Sequence, residues 1–300
     1  MRIGVFHSEK NRDTALAIGK IMTCHSGQVT YYDTGKIWNK EYCKNPLLVM
    51  DKLSHLLYIH SADSQDLGTF AFFSGYSLGK GIKVLVLETD GRMELPENCR
   101  HLGVMLRPES FEDFFIAEKI RFKEEDKRIR ARKELMDKGI SCFDENFILI
   151  AGAGDAESVF LFLEAGFDPN LIDSKGVPVL SLAVRAQFPA VASLLIASGA
   201  DVNRQSADRG YSPMMDAAQK GDLAMVRLLL DNGALPDLQS KDGQTALIIC
   251  TGRGDGEMAK LLLEHGADPR LKDHLGMSAE GYARLFGNRK LMELFNISPA

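Results

Sequence analysis

Short apolar runs separated by segments of helical spacing fill the first third of the chain. The runs are rich in Val, Ile and Leu and lie at 2–6, 28–32, 55–60, 82–87 and 102–106. Between them, apolar residues recur with the period of a helix over 13–22, 47–53 and 69–78. Apolar strands that alternate with helices are typical of a parallel sheet covered on both faces. The pattern therefore predicts an α/β domain over residues 1–108.

Residues 109–142 are predicted to form a connecting segment, most of it one continuous helix. From 109 to 138 no Gly or Pro interrupts the chain, and apolar residues such as Phe111 and Leu135 recur among mixed charges. We expect the apolar side chains to pack on the first domain and the charges to pair at i,i+4 in water. The surplus of Lys and Arg after residue 118 leaves contact with nucleic acid as an alternative.

Two periodic series of glycines organise residues 143–300. The series lie at Gly166, Gly199, Gly233 and Gly266, and at Gly176, Gly210, Gly243 and Gly276. Each unit between them has two short apolar helices, which cannot bury their apolar faces alone and must therefore stack on their neighbours. The predicted units are 143–172, 173–205, 206–239, 240–272 and 273–296.

The repeating unit resembles the ankyrin repeat. The resemblance rests on Gly210–Ala218, on Gly221-Asp222 and on Val226–Ala234, and it extends over residues 143–296. The family's tetrapeptide histidine is replaced in every unit, by Ile148, Ser181, Met215, Ile248 and Gly281. The hydrogen bonds that this histidine makes between neighbouring repeats are therefore not expected here. Unit two has Gln187-Phe188-Pro189 in place of Gly-Asp, so its inter-helix turn is expected to differ.

The ankyrin resemblance implies a protein partner, bound on a concave face made by loop tips and first helices. The candidate partner-binding residues are Lys175, Arg185, Asp208, Arg209, Gln219, Lys241, Arg253 and His274. The alternative for each of them is a solvated position without function.

The carboxyl ends of the predicted strands mark the candidate ligand site of the first domain, because open α/β sheets bind ligands there. His7 and Ser8 follow the first strand, Asp33 follows the second and Asp63 the third. Ser64–Thr69 then leads into a helix whose free N–H groups suit an anion or a ribose hydroxyl. Asp63 and Asp66 could instead simply cap that helix.

A second resemblance, to the nucleoside 2-deoxyribosyltransferases and related TIR-type domains, rests on Asp66–Thr69 and Gly75–Gly81. It implies a flavodoxin-like layout and a nucleotide or nucleoside ligand. The family's nucleophilic glutamate is missing, because Phe73 or Ser74 stands in its place. The strand-end rule and this resemblance together give the candidate ligand-binding set: His7, Ser8, Asp33, Asp63, Asp66, Gly68, Thr69, Ser74 and Tyr76.

The predicted architecture is a flavodoxin-like α/β domain joined by a long helix to an all-α ankyrin solenoid. The predicted function is partner binding by the repeats, with a first domain that is non-catalytic or senses a nucleotide or nucleoside. No residue is assigned as catalytic. The alternative is an enzyme acting on an N-glycosidic bond of a nucleoside, nucleotide or NAD, in which Asp33, Asp63 or Asp66 replaces the missing glutamate.

Composition narrows the remaining possibilities. The net charge of −5 divides into +2 over residues 1–138 (22 basic, 20 acidic) and −7 over 139–300 (14 basic, 21 acidic), so we expect no nucleic-acid partner. Five scattered cysteines form no CxxC pair, which predicts reduced thiols and no metal site. Neither a signal segment nor an apolar span is evident, so we expect a cytoplasmic protein that binds neither membrane nor cofactor.

Overall fold

The structure is a computed structural model that describes residues 1–25, 27–34, 36–37, 47, 50–60, 67–89 and 103–297. Its internal contacts divide the chain into two compact units, Met1–Glu125 and Asp126–Ala300. The first unit contains the strands and the second contains the helix pairs.

The first unit is built on a five-stranded sheet in the order β2-β1-β3-β4-β5. Every neighbouring pair is parallel, which confirms the sheet predicted from the apolar runs. The strands are β1 Arg2–His7, β2 Gln28–Asp33, β3 His55–His60, β4 Lys83–Glu88 and β5 Val104–Leu106. In β1 and β2, His7 pairs with Asp33 at the carboxyl edge. In the predicted helix at 47–53, Leu47 and Met50 are helical and Asp51 and Lys52 form a turn, while residues 48 and 49 lie outside the described residues.

Helices cover the sheet on both faces. Helix α1 (Arg12–Cys24) and the first half of α3 (Pro108–Asp137) pack on the face that includes Val5 and Leu57. Helix α2 (Leu67–Gly79) packs on the opposite face, through Phe70 and Phe73. The side chains of α1 and α2 therefore contact different faces of the sheet, so they do not contribute to one site on a single face.

Helix α3 is continuous over its 30 residues, as the absence of Gly and Pro predicts. Its buried Glu118 Oε1 lies 3.1 Å from His55 Nε2 and accepts a hydrogen bond from Lys83 Nζ at 2.7 Å. Burial lowers the pKa of His55 to about 4. Since His55 and Lys83 begin their strands, this cluster fixes α3 at the amino edge, away from the candidate ligand site.

Residues 144–294 form five helix pairs, one in each predicted unit. The first helices are α4 Asp144–Ala153, α6 Val179–Arg185, α8 Pro213–Lys220, α10 Ala246–Arg253 and α12 Ala279–Leu285. The second helices are α5 Ala156–Glu164, α7 Pro189–Ala197, α9 Leu223–Asp231, α11 Gly256–Glu264 and α13 Arg289–Leu294. One apolar core runs through all five pairs, and α3 contributes Ala131 and Leu135 to it.

Amide side chains, rather than the missing histidine, connect neighbouring repeats. Asn170 Nδ2 donates to Gly199 O at 3.2 Å, and Asn203 repeats the contact with Gly233 O one unit later. Gln205 Nε2 likewise donates to Gln239 O at 2.7 Å. At the histidine positions Met215 and Ile248 are buried in the core instead. The inter-repeat hydrogen bonds lost with the histidine are thus made elsewhere.

The inter-helix turn of repeat two keeps the backbone conformation of the others. Gln187 has a φ of 60°, in the left-handed region that glycine occupies in the other repeats, for example 71° at Gly221. The expected difference lies in the cap, because Phe188 makes no side-chain hydrogen bond where Asp222 caps the next pair.

Candidate functional site

The first helices and the loops that precede them form one surface of the second unit, named here the first-helix face. One position on this face recurs every 33 or 34 residues, and its side chain changes along the stack. In repeats one to five it is Leu149, Leu182, Asp216, Ile249 and Tyr282. The face is therefore apolar at this position except in repeat three.

Four charged residues surround the exception, and we name them the ionic cluster: Arg185, Asp208, Arg209 and Asp216. Asp216 is 1% exposed and accepts hydrogen bonds from Arg185 Nε at 2.9 Å and Arg209 Nη2 at 3.0 Å. Arg185 also donates to Asp208, with 2.7 Å from Nη1 to Oδ2. The cluster is neutral overall, and it joins repeat two to repeat three.

The two carboxylates of the ionic cluster have opposite pKa shifts. Burial raises the pKa of Asp216 to about 6, since lost hydration outweighs the nearby guanidinium groups. The Arg185 hydrogen bond holds the pKa of the more exposed Asp208 well below its usual range. Arg185 donates hydrogen bonds to Asp208, Asp216 and Ser206. Its main role is therefore to hold repeats two and three together within the protein.

Repeats three to five carry a pocket of about 290 Å³ on the same face, named here the apolar pocket. Its lining residues are Gln219, Gln244, Ile248, Ile249, Gly252, Arg253, Tyr282 and Phe286. The Tyr282 and Phe286 rings stack with centroids 5.7 Å apart, and the Tyr282 hydroxyl donates to Asp273 Oδ2 at 2.7 Å. Phe286 is 56% exposed, so this aromatic pair presents apolar surface to solvent.

The remaining predicted partner residues lie along the first-helix face. Lys175 and His274 are exposed at loop tips. Lys241 Nζ donates to the carbonyl oxygen of Ala207, and Arg253 Nη1 donates to Gln219 O at 2.9 Å. These contacts connect neighbouring repeats, so both cations are held in place, and Gln219 and Arg253 line the apolar pocket.

In the first unit, a pocket of about 290 Å³ lies at the carboxyl ends of β1 and β2, and we name it the carboxyl-edge pocket. Two predicted residues, His7 and Asp33, line it. The other lining residues are Glu9, Arg12, Leu16, Tyr31 and Lys36. His7 is 6% exposed, and its Nδ1 donates to Ser8 O at 2.9 Å, because a carbonyl oxygen can only accept.

None of the other predicted ligand-binding residues that the structure describes lines this pocket. Ser74 is completely buried on α2, whose side chains pack on the opposite face of the sheet. Tyr76 donates to Asp51 Oδ1 at 2.7 Å, near the start of β3 and so at the amino edge. Ser8 contributes its backbone oxygen to His7. Gly68 and Thr69 lie in the first turn of α2, while Asp63 and Asp66 are outside the described residues.

Comparison with known proteins settles the family. A family model for three copies of the ankyrin repeat matches residues 147–240, and the single-repeat model matches 242–274. A Treponema pallidum (strain Nichols) protein named as ankyrin repeat-containing is 39% identical over 298 residues, covering 99% of this chain and 100% of its own length. The chain belongs to the ankyrin repeat proteins.

Two further ankyrin relatives are similar over shorter stretches. Ankyrin repeat and SAM domain-containing protein 6 of Rattus norvegicus is 37% identical over 78 residues, which are 26% of this chain and 9% of the relative. The Escherichia coli (strain K12) ankyrin repeat protein YahD is 33% identical over 93 residues, 31% of this chain and 45% of its own. This chain spans less than half of either relative, whereas the Treponema protein matches it over both units.

Two features, a group of metal ligands and a membrane-spanning helix, are not found in the described part of this ankyrin repeat protein. Among those residues, no group of three or more His, Cys, Asp or Glu is placed to hold a metal ion. None of the helices there is long and apolar enough to cross a membrane.

Sequence reasoning missed the aromatic members of the ankyrin face. Tyr282 and Phe286 belong to the last repeat, whose polar sequence is typical of the end of a repeat stack. Asp216 occupies a variable position of the repeat pattern. The available signal was the 33- or 34-residue spacing, which aligns Tyr282 with Ile249 and Asp216. Aligning the five repeats by position would have shown the single charge in an apolar series.

Proposed function

We propose that the ankyrin repeats bind a protein partner through the first-helix face, with the apolar pocket as the principal contact. The observation that carries this proposal is the stack of the half-buried Tyr282 and the exposed Phe286, which lines the same pocket as Arg253. Leu275 and Leu285 of the same repeat are also exposed, at 81% and 66%. Aromatic residues and arginine dominate binding energy at protein interfaces.

The chemistry of the pocket suggests what the partner presents. Ile248, Ile249 and the aromatic pair form an apolar floor, which suits an aliphatic or aromatic side chain. Arg253 uses Nη1 on the Gln219 carbonyl, so its other N–H groups suit a carboxylate or carbonyl oxygen. The ionic cluster is internally neutralised and so contributes less to the contact.

Quantitative affinity purification with the full chain tests this proposal. Phe286→Ala should reduce recovery of a specific partner by about tenfold or more, because an aromatic anchor is worth about 2 kcal/mol or more. Phe160→Ala is the matched control, since Phe160 is 48% exposed but lies on a second helix. Equal loss with both variants, or no loss with Phe286→Ala, would contradict the proposal.

We further propose that the first unit is a non-catalytic, flavodoxin-like module that senses a small molecule. The strand order β2-β1-β3-β4-β5 supports the layout, and the carboxyl-edge pocket supports the ligand. The domains would then be residues 1–108 for sensing, 109–142 for connection and 143–300 for partner binding. Titration of the full chain with a panel of nucleosides and nucleotides tests this role, and binding of none of them would count against the nucleotide version.

A further inference from the structure

We propose that the carboxyl-edge pocket binds a phosphorylated sugar, with Arg12 on the phosphate and with His7 and Asp33 on the sugar hydroxyls. This inference deepens the sensing role proposed for the first unit and does not depend on partner binding by the repeats. It rests on which groups in the pocket donate hydrogen bonds, which accept them, and which are already paired.

The Nδ1 contact of His7 leaves Nε2 as the acceptor of the neutral ring. Its Nδ1 carries the proton, because it lies 2.9 Å from the carbonyl oxygen of Ser8. In the neutral imidazole Nε2 then carries the lone pair, and it has no hydrogen-bond partner among the described residues. His7 is 6% exposed and lines the pocket, and we assign Nε2 as the atom that accepts a hydrogen bond from the ligand.

Asp33 adds a second acceptor whose charge is already balanced. Its Oδ2 lies 3.2 Å from Lys36 Nζ, and it pairs in register with His7 across β1 and β2. Hydrogen bonding to Asp33 raises the pKa of Lys36, so the amine remains charged. A ligand ammonium would compete with Lys36 for this carboxylate, whereas a hydroxyl donates to it without needing a free charge.

Arg12 supplies the anion-binding group, while the remaining carboxylate of the lining, the exposed Glu9, helps to raise the pKa of Lys36. It lies in the first turn of α1 with its side chain exposed, and it makes no ion pair with the described residues. A guanidinium donates two parallel hydrogen bonds to phosphate oxygens, and the positive end of the helix dipole adds to that attraction. The anion of the ligand therefore belongs at Arg12, and its hydroxyls belong at the strand ends.

An apolar wall completes the site. Leu16 is 42% exposed on α1, and Tyr31 lies beside it on β2. A side chain at Gly19 would place its Cβ 1.7 Å from the Tyr31 hydroxyl, so the glycine lets the phenol lie against α1. The wall suits the C–H face of a sugar ring, and the pocket volume is at the small end of the range for ligand sites, about 300–1,000 Å³.

Isothermal titration calorimetry of the full chain tests this assignment, with ribose 5-phosphate and glucose 6-phosphate as probes. We expect at least one of them to bind, and ribose, glucose and inorganic phosphate to bind about tenfold or more weakly. Absence of binding by both sugar phosphates at millimolar concentration would overturn the proposal. Inorganic phosphate binding as tightly as the better-bound of the two probes would also overturn it, because the hydroxyl contacts would then be absent.

Three substitutions separate the contributions. Arg12→Gln should weaken sugar-phosphate binding about tenfold or more, whereas Arg107→Gln, an exposed arginine beyond β5, should leave it within about twofold. Asp33→Asn should weaken sugar phosphates but not inorganic phosphate. Unchanged binding by Arg12→Gln, with unchanged thermal unfolding, would overturn the assignment.

The same titrations distinguish this inference from the broader sensing role. If a nucleoside binds in an Asp33-dependent manner while both sugar phosphates do not, the sensing role stands and the phosphorylated-sugar assignment fails. If the sugar phosphates bind as expected, both are supported.

Discussion

The first-helix face has two halves that are filled by different side chains. These are the charged residues of the ionic cluster in repeats two and three, and apolar or aromatic residues in repeats four and five. In repeats two and three, Asp216 is buried between Arg185 and Arg209. In repeats four and five, the equivalent positions are Ile249 and Tyr282, which form the floor of the apolar pocket. Both halves lie on equivalent helices with the same spacing, so the backbone alone does not choose between them.

The difference between the two halves indicates which part of this face is available to contact a partner. Charges in the ionic cluster satisfy one another, and a partner would have to displace those contacts to use them. Among the described residues, Tyr282 provides the one aromatic ring that stacks on Phe286, and Phe286 is 56% exposed. Removing that exposed apolar area from water on binding is favourable at about 25 cal/mol per Å². The binding surface is therefore expected where the repeats are least polar.

The variant with the largest expected effect places a carboxylate in the apolar half of the face. Ile249→Asp should lower the free energy of unfolding by about 4 kcal/mol, from about 2 kcal/mol of lost burial plus the cost of a carboxylate without an arginine beside it. Urea unfolding followed by circular dichroism measures this change. Leu149→Asp is the matched control at the equivalent position of repeat one, where the side chain is 69% exposed. That variant should stay within about 0.5 kcal/mol of the wild type, and a loss as large as that of Ile249→Asp would show that burial does not set the cost.

The second test uses pH to examine the ionic half. Because the pKa of Asp216 is raised from 3.8 to about 6, the folded state binds this proton more tightly than the unfolded state does. Its contribution to stability is therefore present at about pH 4 and is lost as pH rises to about 6. Relative to Asp216→Asn, the wild type should lose up to about 3 kcal/mol of unfolding free energy between about pH 4 and pH 7.

Asp231→Asn is the control for this pH series, since Asp231 is an exposed carboxylate at the end of α9. The stability difference between Asp231→Asn and the wild type should change with pH much less than that of Asp216→Asn, because the Asp231 side chain is exposed. If the wild type instead gains stability relative to Asp216→Asn as pH rises, the two guanidinium groups outweigh burial and the stated cause of the shift is wrong.

The smallest expected effect concerns the polar contact that orients the aromatic pair. Tyr282→Phe keeps the ring stacked on Phe286 but removes the hydrogen bond to Asp273 Oδ2, so it should cost about 1 kcal/mol of stability. Tyr76→Phe removes a similar bond to Asp51, a more exposed carboxylate, and should cost less than about 0.5 kcal/mol. Thermal and urea unfolding of both variants measure the difference, and equal costs would contradict the role of burial.

Much of the fold was predictable because it depends on local periodicity. The apolar runs placed β1 to β5 within one or two residues, and the glycine spacing placed all five helix pairs. The ligand-site prediction was less complete. His7 and Asp33 were found because strand ends in a parallel sheet share an edge, whereas Ser74 and Tyr76 came from a sequence resemblance that cannot say which face of the sheet a helix covers.

The sequence by itself determined that this protein contains a stack of five ankyrin repeats and a parallel sheet, because both patterns are repeated and each repeat carries the signal again. Only the tertiary structure decided that Arg185 and Arg209 share Asp216, that Gln219 and Ile249 line one pocket with Phe286, and that Arg12 and His7 line another. These residues belong to different elements or to different repeats. Their contacts depend on how neighbouring elements pack against each other, and no pattern within a short stretch of sequence determines the distance between them.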